Sequence, residues 1–192
     1  MTDPAGKYTD IHSDLIQKCL KNDKRAQTEI YRLYYKAVFN TSMRILKDVL
    51  LAEDVMQETF ITAFTRLGTY NGEASFGSWL KRIAINKSID ELRKKSDLLE
   101  PLEMVPERQF LPDSDEYNPE YEKEVSLTIE MVKKAINLLP DGYRVVLTLY
   151  LLEGYDHEEI GSILNINEST SRSQFTRAKQ KLLEILNHEQ KK

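Results

Sequence analysis

The sequence contains little of the chemistry that metal sites and disulfides require. Its 192 residues include one cysteine, Cys19, and three widely separated histidines, His12, His157 and His188. One cysteine cannot form an intramolecular disulfide, and the histidines do not have the spacing of metal ligands. There is also no Ser-His-Asp or Cys-His order and no glycine-rich phosphate loop. We therefore expect a protein that is not an enzyme and that has no catalytic residues, no metal site and no cofactor.

Glycine and proline are also scarce, with seven and six residues. They gather near the N-terminus and at 68–77, 101–119 and 140–161, so that long stretches of helix-forming residues lie between them. The longest apolar run, 145–152, is far shorter than the roughly 20 residues that span a bilayer. No N-terminal signal pattern is present either. We expect a helical, cytoplasmic protein.

The negative charge is concentrated in one segment. A net charge of -4 argues against a nucleic-acid partner, because DNA binding neutralises phosphates with basic side chains. Between residues 96 and 124, however, the only basic residues among the many acidic ones are Arg108 and Lys123. The excess of acidic residues in this segment lowers the net charge of the whole chain and thereby masks basic regions elsewhere. The same segment contains most of the prolines and has no sustained helical period. We interpret residues 96–120 as a flexible acidic linker.

Helical periodicity divides the rest of the chain into two domains, 10–95 and 121–187. The helices predicted before and after the linker are at 11–21, 24–47, 50–67 and 76–95, and at 121–138, 141–153, 156–164 and 168–187. The predicted fold class is therefore all-α, with two small helical domains joined by the flexible acidic linker.

The last two predicted helices have the pattern of a helix-turn-helix. Asp156 and Glu159 have the spacing of a capping box, which begins a short helix. Asn165 tolerates the left-handed backbone conformation that a tight turn requires, and Asn167 can cap the next helix. Gly161 has no side chain and so allows the two helices to approach closely. Together these features predict a domain that binds duplex DNA.

The outward face of the last helix contains the candidate contacts to duplex DNA. An advance of 100° per residue places a core side at Ser171, Phe175, Ala178 and Leu182. The opposite side has guanidinium, ammonium and hydroxyl groups, which suit base edges and phosphates in a major groove. Its residues are Ser169, Arg172, Ser173, Thr176, Arg177 and Lys179. Arg172 is the best candidate for a base contact, because a guanidinium can donate two hydrogen bonds to one guanine. The alternative is an ordinary solvated face.

The third predicted helix has two distinct faces. Its core side consists of Ala52, Val55, Thr59, Phe60 and Ala63. Asp54, Gln57 and Glu58 share another face at i, i+3 and i+4. Such an acidic patch is either a solubilising surface or a docking site for a protein partner with basic helices.

The fourth predicted helix has the features of a single-stranded nucleic-acid site. Its apolar residues lie on nearly opposite faces, so it must be covered on two sides; they are Phe76, Leu80 and Ile83, and then Ile85, Ile89 and Leu92. Arg82, Asn86 and Arg93 form a polar stripe with Trp79 at its edge. Aromatic rings beside amide and basic groups supply stacking surfaces, edge donors and phosphate partners. Trp79 fits either a core or a contact role, and Tyr70 in the preceding loop is a second aromatic candidate.

Three blocks of sequence resemble one protein family. They are AEDVMQETF, SFGSWLKRIAINKSIDELRKK and, after the dipeptide at 139–140, EEIGSILNINESTSRSQFTRAKQKL. In this order and at these separations they are similar to the extracytoplasmic-function (group 4) sigma factors of the sigma-70 family of bacterial RNA polymerase. The resemblance covers nearly all of 14–186 except the linker. The chain departs from the family pattern at Ser171, where an aliphatic residue is common, and at Asn165, Ser169 and Gln174.

The resemblance implies a non-enzymatic subunit that binds core RNA polymerase and directs promoter recognition, DNA melting and transcription initiation. Asp54, Gln57 and Glu58 would dock onto the clamp helices of the largest polymerase subunit. An anti-sigma factor would hold the protein inactive. The linker would be either a solvated spacer or a segment that threads into the polymerase.

The resemblance also implies which residues bind promoter DNA. The element that reads the minus-ten region and holds a flipped base corresponds to Tyr70, Trp79, Arg82, Asn86 and Arg93. The helix that enters the groove at the minus-thirty-five element corresponds to the outward face of the last helix. The competing interpretation is a helix-turn-helix regulator that binds duplex DNA without being a polymerase subunit, which leaves the first domain unexplained.

Overall fold

The chain forms two compact units, of which the first ends at Ser96. The computed structural model of the chain describes residues 11–95 and 131–189. The predicted linker at 96–120 lies outside the described residues, as do residue 10 and the first part of the predicted helix at 121–138.

All the described regular elements are helical. The first unit contains α1 (Ser13–Leu20), α2 (Lys24–Leu46), α3 (Val49–Thr65), a short 3-10 helix (Leu67–Thr69) and α4 (Phe76–Lys95). The second unit contains α5, which is described over 131–138, α6 (Asp141–Leu151), α7 (His157–Leu164) and α8 (Glu168–Glu189). The all-α fold class is confirmed, and the described helix ends lie within about two residues of those predicted.

Aspartate side chains begin the two long central helices of the first unit. The Asp23 carboxylate accepts a hydrogen bond from the backbone N–H of Arg25 at 2.8 Å, and that of Asp48 accepts one from Leu51 at 3.1 Å. Each bond satisfies a donor that the first turn of a helix leaves without an intrahelical partner. Lys47 ends α2 in the left-handed conformation, at a φ of 55°. α3 therefore begins only a short step after α2 ends.

α4 is buried on two nearly opposite faces, as its sequence predicts. Phe76 and Leu80 lie in a core that also contains residues of α1, α2 and α3. The buried residues of the other face are Ile85, Ile89 and Leu92. Both α2 and α3 pack against α4. Ile83 is only partly buried. Because two sides of α4 are covered, a narrow strip of the helix remains for solvent.

The predicted core side of α3 is confirmed. Its residues are all buried: Ala52, Val55, Thr59, Phe60 and Ala63. The buried hydroxyl of Thr59 donates a hydrogen bond to the carbonyl oxygen of Val55 at 2.7 Å, which offsets the cost of removing it from water. The opposite side of α3 is thereby directed to solvent.

The second unit is built around α6, whose apolar run is buried at 145–149. α8 packs against α6. The predicted core residues of α8 are buried fully or in part: Ser171, Phe175, Ala178 and Leu182. Gln174 is buried as well, at 5% exposure, so the core side of α8 is wider than the sequence predicts.

The helix-turn-helix consists of α7, a turn at 165–167 and α8, and its predicted caps are formed. The carboxylates of Asp156 and Glu159 each accept a hydrogen bond from the backbone N–H of the other residue, at 2.8 and 3.0 Å. Asn165 is left-handed, at a φ of 57°. The side-chain oxygen of Asn167 accepts a hydrogen bond from the backbone N–H of Thr170 at 2.7 Å. The capping box and the turn predicted from the sequence are therefore confirmed.

Gly161 lies against the turn rather than against the body of α8. A Cβ atom at this position would be 2.8 Å from the carbonyl oxygen of Ile166 and 3.6 Å from backbone atoms of Asn167 and Glu168. The backbone N–H of Ile166 donates to the carbonyl oxygen of Gly161 at 3.0 Å. The reason predicted for this glycine therefore needs correction: it makes room for the turn backbone, which folds onto α7.

We expect Gly161→Val to destabilise the second unit by about 1–3 kcal/mol, because a branched side chain must displace the turn backbone. Amide hydrogen exchange in α7 and α8 of the full chain measures this change. Ser162→Val, at the exposed next position of α7, is the control, since it adds the same β-branched residue without the crowding. Equal losses in the two variants would contradict the explanation.

Candidate nucleic-acid and partner interfaces

The predicted duplex-DNA contacts lie together on the outer surface of α8. We call this surface the α8 face; it consists of Ser169, Arg172, Ser173, Thr176, Arg177 and Lys179. All of these side chains are exposed except that of Arg177, which is half-buried. Because most of the positions recur at intervals of three or four residues, the structure brings them onto one side of the helix.

Several side chains of the α8 face make local hydrogen bonds. The Nε–H of Arg172 donates to Oε1 of Glu168 at 3.0 Å, and Nη2 of Arg172 contacts the same oxygen. The hydroxyl of Ser169 donates to Oδ1 of Asn167 at 2.8 Å, and that of Thr176 donates to the carbonyl oxygen of Arg172 at 3.1 Å. The two hydroxyls keep acceptor capacity, whereas the guanidinium keeps further N–H donors. Arg172 therefore keeps N–H donors that can contact DNA.

A buried histidine lies beneath the α8 face. Nδ1 of His157 and the hydroxyl of Ser171 form a hydrogen bond of 2.9 Å. The imidazole ring stacks on Tyr150, with centroids 4.7 Å apart and planes at 20°, and lies 5.5 Å from the ring of Phe175. His157 thus joins α6, α7 and α8.

The sequence does not reveal the role of His157. The sequence indicates a buried polar partner only through Ser171, because a hydroxyl on the core side of a helix requires a hydrogen-bond partner. Its partner lies in another helix, fourteen residues earlier in the chain. Periodicity within one helix cannot identify a contact of that kind.

The environment of His157 favours the neutral imidazole. Burial lowers the pKa of His157 below its ordinary value, and the positive charge of Arg172 lowers it further. The nearby carboxylates of Glu168 and Asp156 act in the opposite direction and are smaller causes. The histidine is therefore a neutral hydrogen-bonding group of the core at neutral pH.

Two aromatic side chains form a partly exposed rim beside the start of α4. This aromatic rim consists of Tyr70 and Trp79, whose ring centroids are 5.5 Å apart. Both rings contact Phe76, at 5.6 Å from each, and Phe76 is buried beneath them. The hydroxyl of Tyr70 donates to the carbonyl oxygen of Ala74 at 2.8 Å, which holds the loop before α4. Phe76 is therefore a core residue, and the structure brings Tyr70 and Trp79 together.

The polar stripe predicted on α4 extends away from the aromatic rim. Arg82 is half-buried, whereas Asn86 and Arg93 are exposed. Trp79, Arg82 and Asn86 follow one another at intervals of three and four residues, so they lie on one side of the helix. Arg93 lies farther along α4 and pairs with Asp90 at 3.5 Å. The rim and the stripe together offer stacking surfaces, an amide and two guanidinium groups.

The acidic patch of α3 is exposed and is tied to α4 by an ion pair. Asp54, Gln57 and Glu58 all face solvent. Oε2 of Glu58 lies 3.0 Å from Nζ of Lys87 in α4. The charge of Glu58 is thus partly compensated within the protein, which leaves Asp54 and Gln57 as the simpler candidates for contact with a basic partner.

Over residues 11–95 and 131–189, no cluster of three or more histidine, cysteine, aspartate or glutamate side chains could hold a metal ion. In the same part of the chain, no helix is both long and apolar enough to cross a membrane. The predicted contact residues lie on three described surfaces: the α8 face, the aromatic rim with its polar stripe, and the acidic patch of α3.

Comparison with known families gives two matches, one in each unit. The family model of Sigma-70 region 2 matches residues 30–97, and that of Sigma-70 region 4 matches residues 129–182. The first match contains the acidic patch and the aromatic rim, and the second contains α7, the turn and α8 as far as Leu182.

Individual proteins match across both units. The chain is 32% identical to the ECF RNA polymerase sigma factor SigM of Bacillus subtilis, over 83% of this chain and 94% of that protein. It is also 32% identical to SigW of the same organism, over 87% and 92%. The solved structure of the sigma factor RpoE with the anti-sigma factor NepR from Bartonella quintana has a TM-score of 0.55 at 22% identity, covering 83% of this chain and 96% of that one. The structure of CnrH with the cytosolic domain of CnrY has a TM-score of 0.53 at 20% identity, covering 91% and 96%. These two solved structures share the fold.

We expect the second unit to lose stability as the pH falls below about 6.5, the ordinary pKa of histidine. The folded-state pKa of His157 is lowered, so the unfolded chain binds the proton more readily and stability is lost through the window below that value. Amide hydrogen exchange of α7 and α8 between pH 7.5 and 5.5 measures the loss.

The control for this pH dependence is the double variant His157→Phe/Ser171→Ala, which removes the titrating ring without leaving the serine hydroxyl unpaired. It should retain the ring packing and show a smaller loss over the same window. His188→Gln, at an exposed position, should behave like the unaltered chain. An identical loss in the double variant would show that other groups cause it.

Proposed function

The chain belongs to the extracytoplasmic-function group of the sigma-70 family of RNA polymerase sigma factors, and on this premise we propose how its two units divide the work of transcription initiation. Residues 10–95 bind core RNA polymerase and recognise and melt the minus-ten region. Residues 121–187 recognise the minus-thirty-five element as duplex DNA, and residues 96–120 tether the two. The observation that carries this proposal is that the two surfaces suited to nucleic acid lie one on each matched unit.

The acidic patch of α3 is the proposed docking site for the clamp helices of the largest polymerase subunit. Asp54, Gln57 and Glu58 are exposed on a helix whose opposite side is buried, so the fold directs them outward. Complementary charge across such an interface steers association and sets its orientation. Because Glu58 already pairs with Lys87, we assign the main contacts to Asp54 and Gln57.

The aromatic rim and the polar stripe are the proposed site for melted minus-ten DNA. Tyr70 and Trp79 provide ring faces on which an unpaired base can stack. Asn86 can donate and accept at a base edge, while Arg82 and Arg93 suit phosphates. A site that accepts only an extruded base offsets the few kcal/mol that unstacking costs, and thereby favours the open promoter.

The α8 face is the proposed contact with the minus-thirty-five element. In a helix-turn-helix the second helix lies in the major groove and presents its outer side to base edges. Arg172 is assigned to a base contact, and Ser169, Ser173, Thr176, Arg177 and Lys179 to phosphates or bases. Binding through both units at once makes the second contact intramolecular, which raises the affinity without new contacts.

The protein itself makes and breaks no covalent bond in this proposal, and it acts in the cytoplasm as a polymerase subunit. RpoE of Bartonella quintana was solved with an anti-sigma factor bound. We propose that an anti-sigma factor likewise inactivates this chain by covering its polymerase-binding surfaces.

We expect Asp54→Ala/Gln57→Ala to weaken retention on core RNA polymerase by roughly tenfold or more, since it removes polar contacts from the exposed side of α3 alone. Co-elution of the full chain with purified core enzyme measures retention. Glu29→Ala, on the exposed side of α2, removes a carboxylate elsewhere in the unit and should leave retention unchanged. A chain that binds duplex DNA but never joins core enzyme would instead be a helix-turn-helix regulator.

We expect Trp79→Ala to reduce promoter opening by the holoenzyme, because base stacking on an aromatic ring is worth about 1–3 kcal/mol. Permanganate reactivity of the melted strand measures opening. On a promoter that is already mismatched across the minus-ten region, the defect of the variant should be smaller, because less melting is required. Phe64→Ala removes another partly buried aromatic side chain from the same core and controls for lost packing. Equal opening defects in the two variants would argue against a base contact at Trp79.

A further inference from the structure

Arg172, the proposed base contact, is held by an acidic neighbour one helical turn away. Its Nε–H donates to Oε1 of Glu168 at 3.0 Å, and its Nη2 contacts the same oxygen. The two side chains are 65% and 49% exposed, so the pair lies in solvent, with Arg172 on the α8 face and Glu168 beside it. An exposed ion pair at this spacing contributes little to helix stability. Its larger consequence is the orientation of the guanidinium group.

The pair determines which donors of Arg172 are left for DNA. A guanidinium presents five N–H groups in one rigid plane. Glu168 occupies the edge formed by Nε and Nη2, which leaves the end formed by Nη1 and the outer N–H of Nη2. Two parallel donors match the O6 and N7 acceptors of guanine in the major groove. Adenine presents an amino group in place of O6 and cannot accept both bonds.

We propose that Glu168 is a positioning residue that holds Arg172 in the orientation that reads guanine, and thereby determines specificity at one base pair of the upstream promoter element. This inference rests on the proposed function of the α8 face. Glu168 is the first residue of α8 and follows Asn167, which caps that helix. The turn therefore fixes the point from which the carboxylate reaches Arg172.

Glu168 also opposes binding to unrelated DNA. Non-specific attachment depends on basic side chains that neutralise phosphates. A guanidinium that already contacts a carboxylate gains less from a phosphate, and the phosphates repel the carboxylate itself. Removal of Glu168 therefore lowers the preference for guanine and raises binding to unrelated duplexes. A general loss of structure would instead lower both the preference for guanine and the binding to unrelated duplexes.

Selection from promoters with a randomised upstream element, using the full chain assembled with core RNA polymerase, tests the proposal. The unaltered holoenzyme should enrich guanine at the position that Arg172 contacts. Glu168→Ala should reduce that enrichment roughly two- to fivefold, with the preference at other positions retained. Glu168→Gln should keep part of it, because the amide oxygen still accepts a hydrogen bond from Arg172.

Two further variants separate positioning from other roles of a carboxylate. Glu184→Ala breaks the ion pair with Lys181, 2.8 Å long and also exposed on α8, and should leave base preference unchanged. In an Arg172→Ala background, Glu168→Ala should have no further effect on base preference, because a residue that acts through Arg172 has nothing left to orient.

The outcomes that would overturn the proposal are specific. An equal effect of Glu168→Ala with and without Arg172 would show that Glu168 contacts DNA itself. A uniform loss across all sequences would show a structural role. If instead Arg172→Ala left the base preference of an active holoenzyme unaltered, the assignment of Arg172 in the proposed function would fail, and the positioning role would fail with it.

Discussion

Burial of α4 on two sides is the constraint on which the first unit depends. Phe76 and Leu80 fix one face of the helix and Ile85 and Ile89 fix another, so the helix cannot rotate without exposing apolar surface. The strip left to solvent is therefore narrow, and its direction is set by the core. The aromatic rim stands at the beginning of this strip, and its rings are supported from below by buried Phe76. A flexible loop could present the same groups, but not in so fixed a relation.

In the second unit, the turn of the helix-turn-helix holds α7 and α8 in a comparably fixed arrangement. Gly161 lets the turn backbone lie directly on α7, Asn165 supplies the left-handed residue, and Asn167 caps α8. Beneath α8, the bond between His157 and Ser171 satisfies a hydroxyl that would otherwise be buried without a partner. The start of α8 is thus determined by backbone contacts and the next turn by a polar contact within the core. These two kinds of contact also fix the positions of the side chains on the outer side of α8.

The helices and their faces could be predicted from the sequence because both follow from the spacing of apolar residues along one element. The two-sided burial of α4, the capping box at Asp156 and the left-handed Asn165 are of this kind. The partner of Ser171 and the burial of Gln174 depend on which elements meet, and local spacing does not contain that information. The pairing of Arg172 with Glu168 has a permitted spacing on the helix, but the spacing alone does not show which donors it occupies. The site assignments themselves rest on the resemblance and remain proposals.

The ion pair between Glu58 and Lys87 joins the helix proposed to meet polymerase to the helix proposed to meet DNA. These helices also pack against each other and share a core, so the two proposed surfaces belong to one packed unit. In the proposed function, a rotation of α3 on binding polymerase would therefore also turn α4. The proposed docking of α3 on polymerase would then also orient the aromatic rim toward the promoter strand.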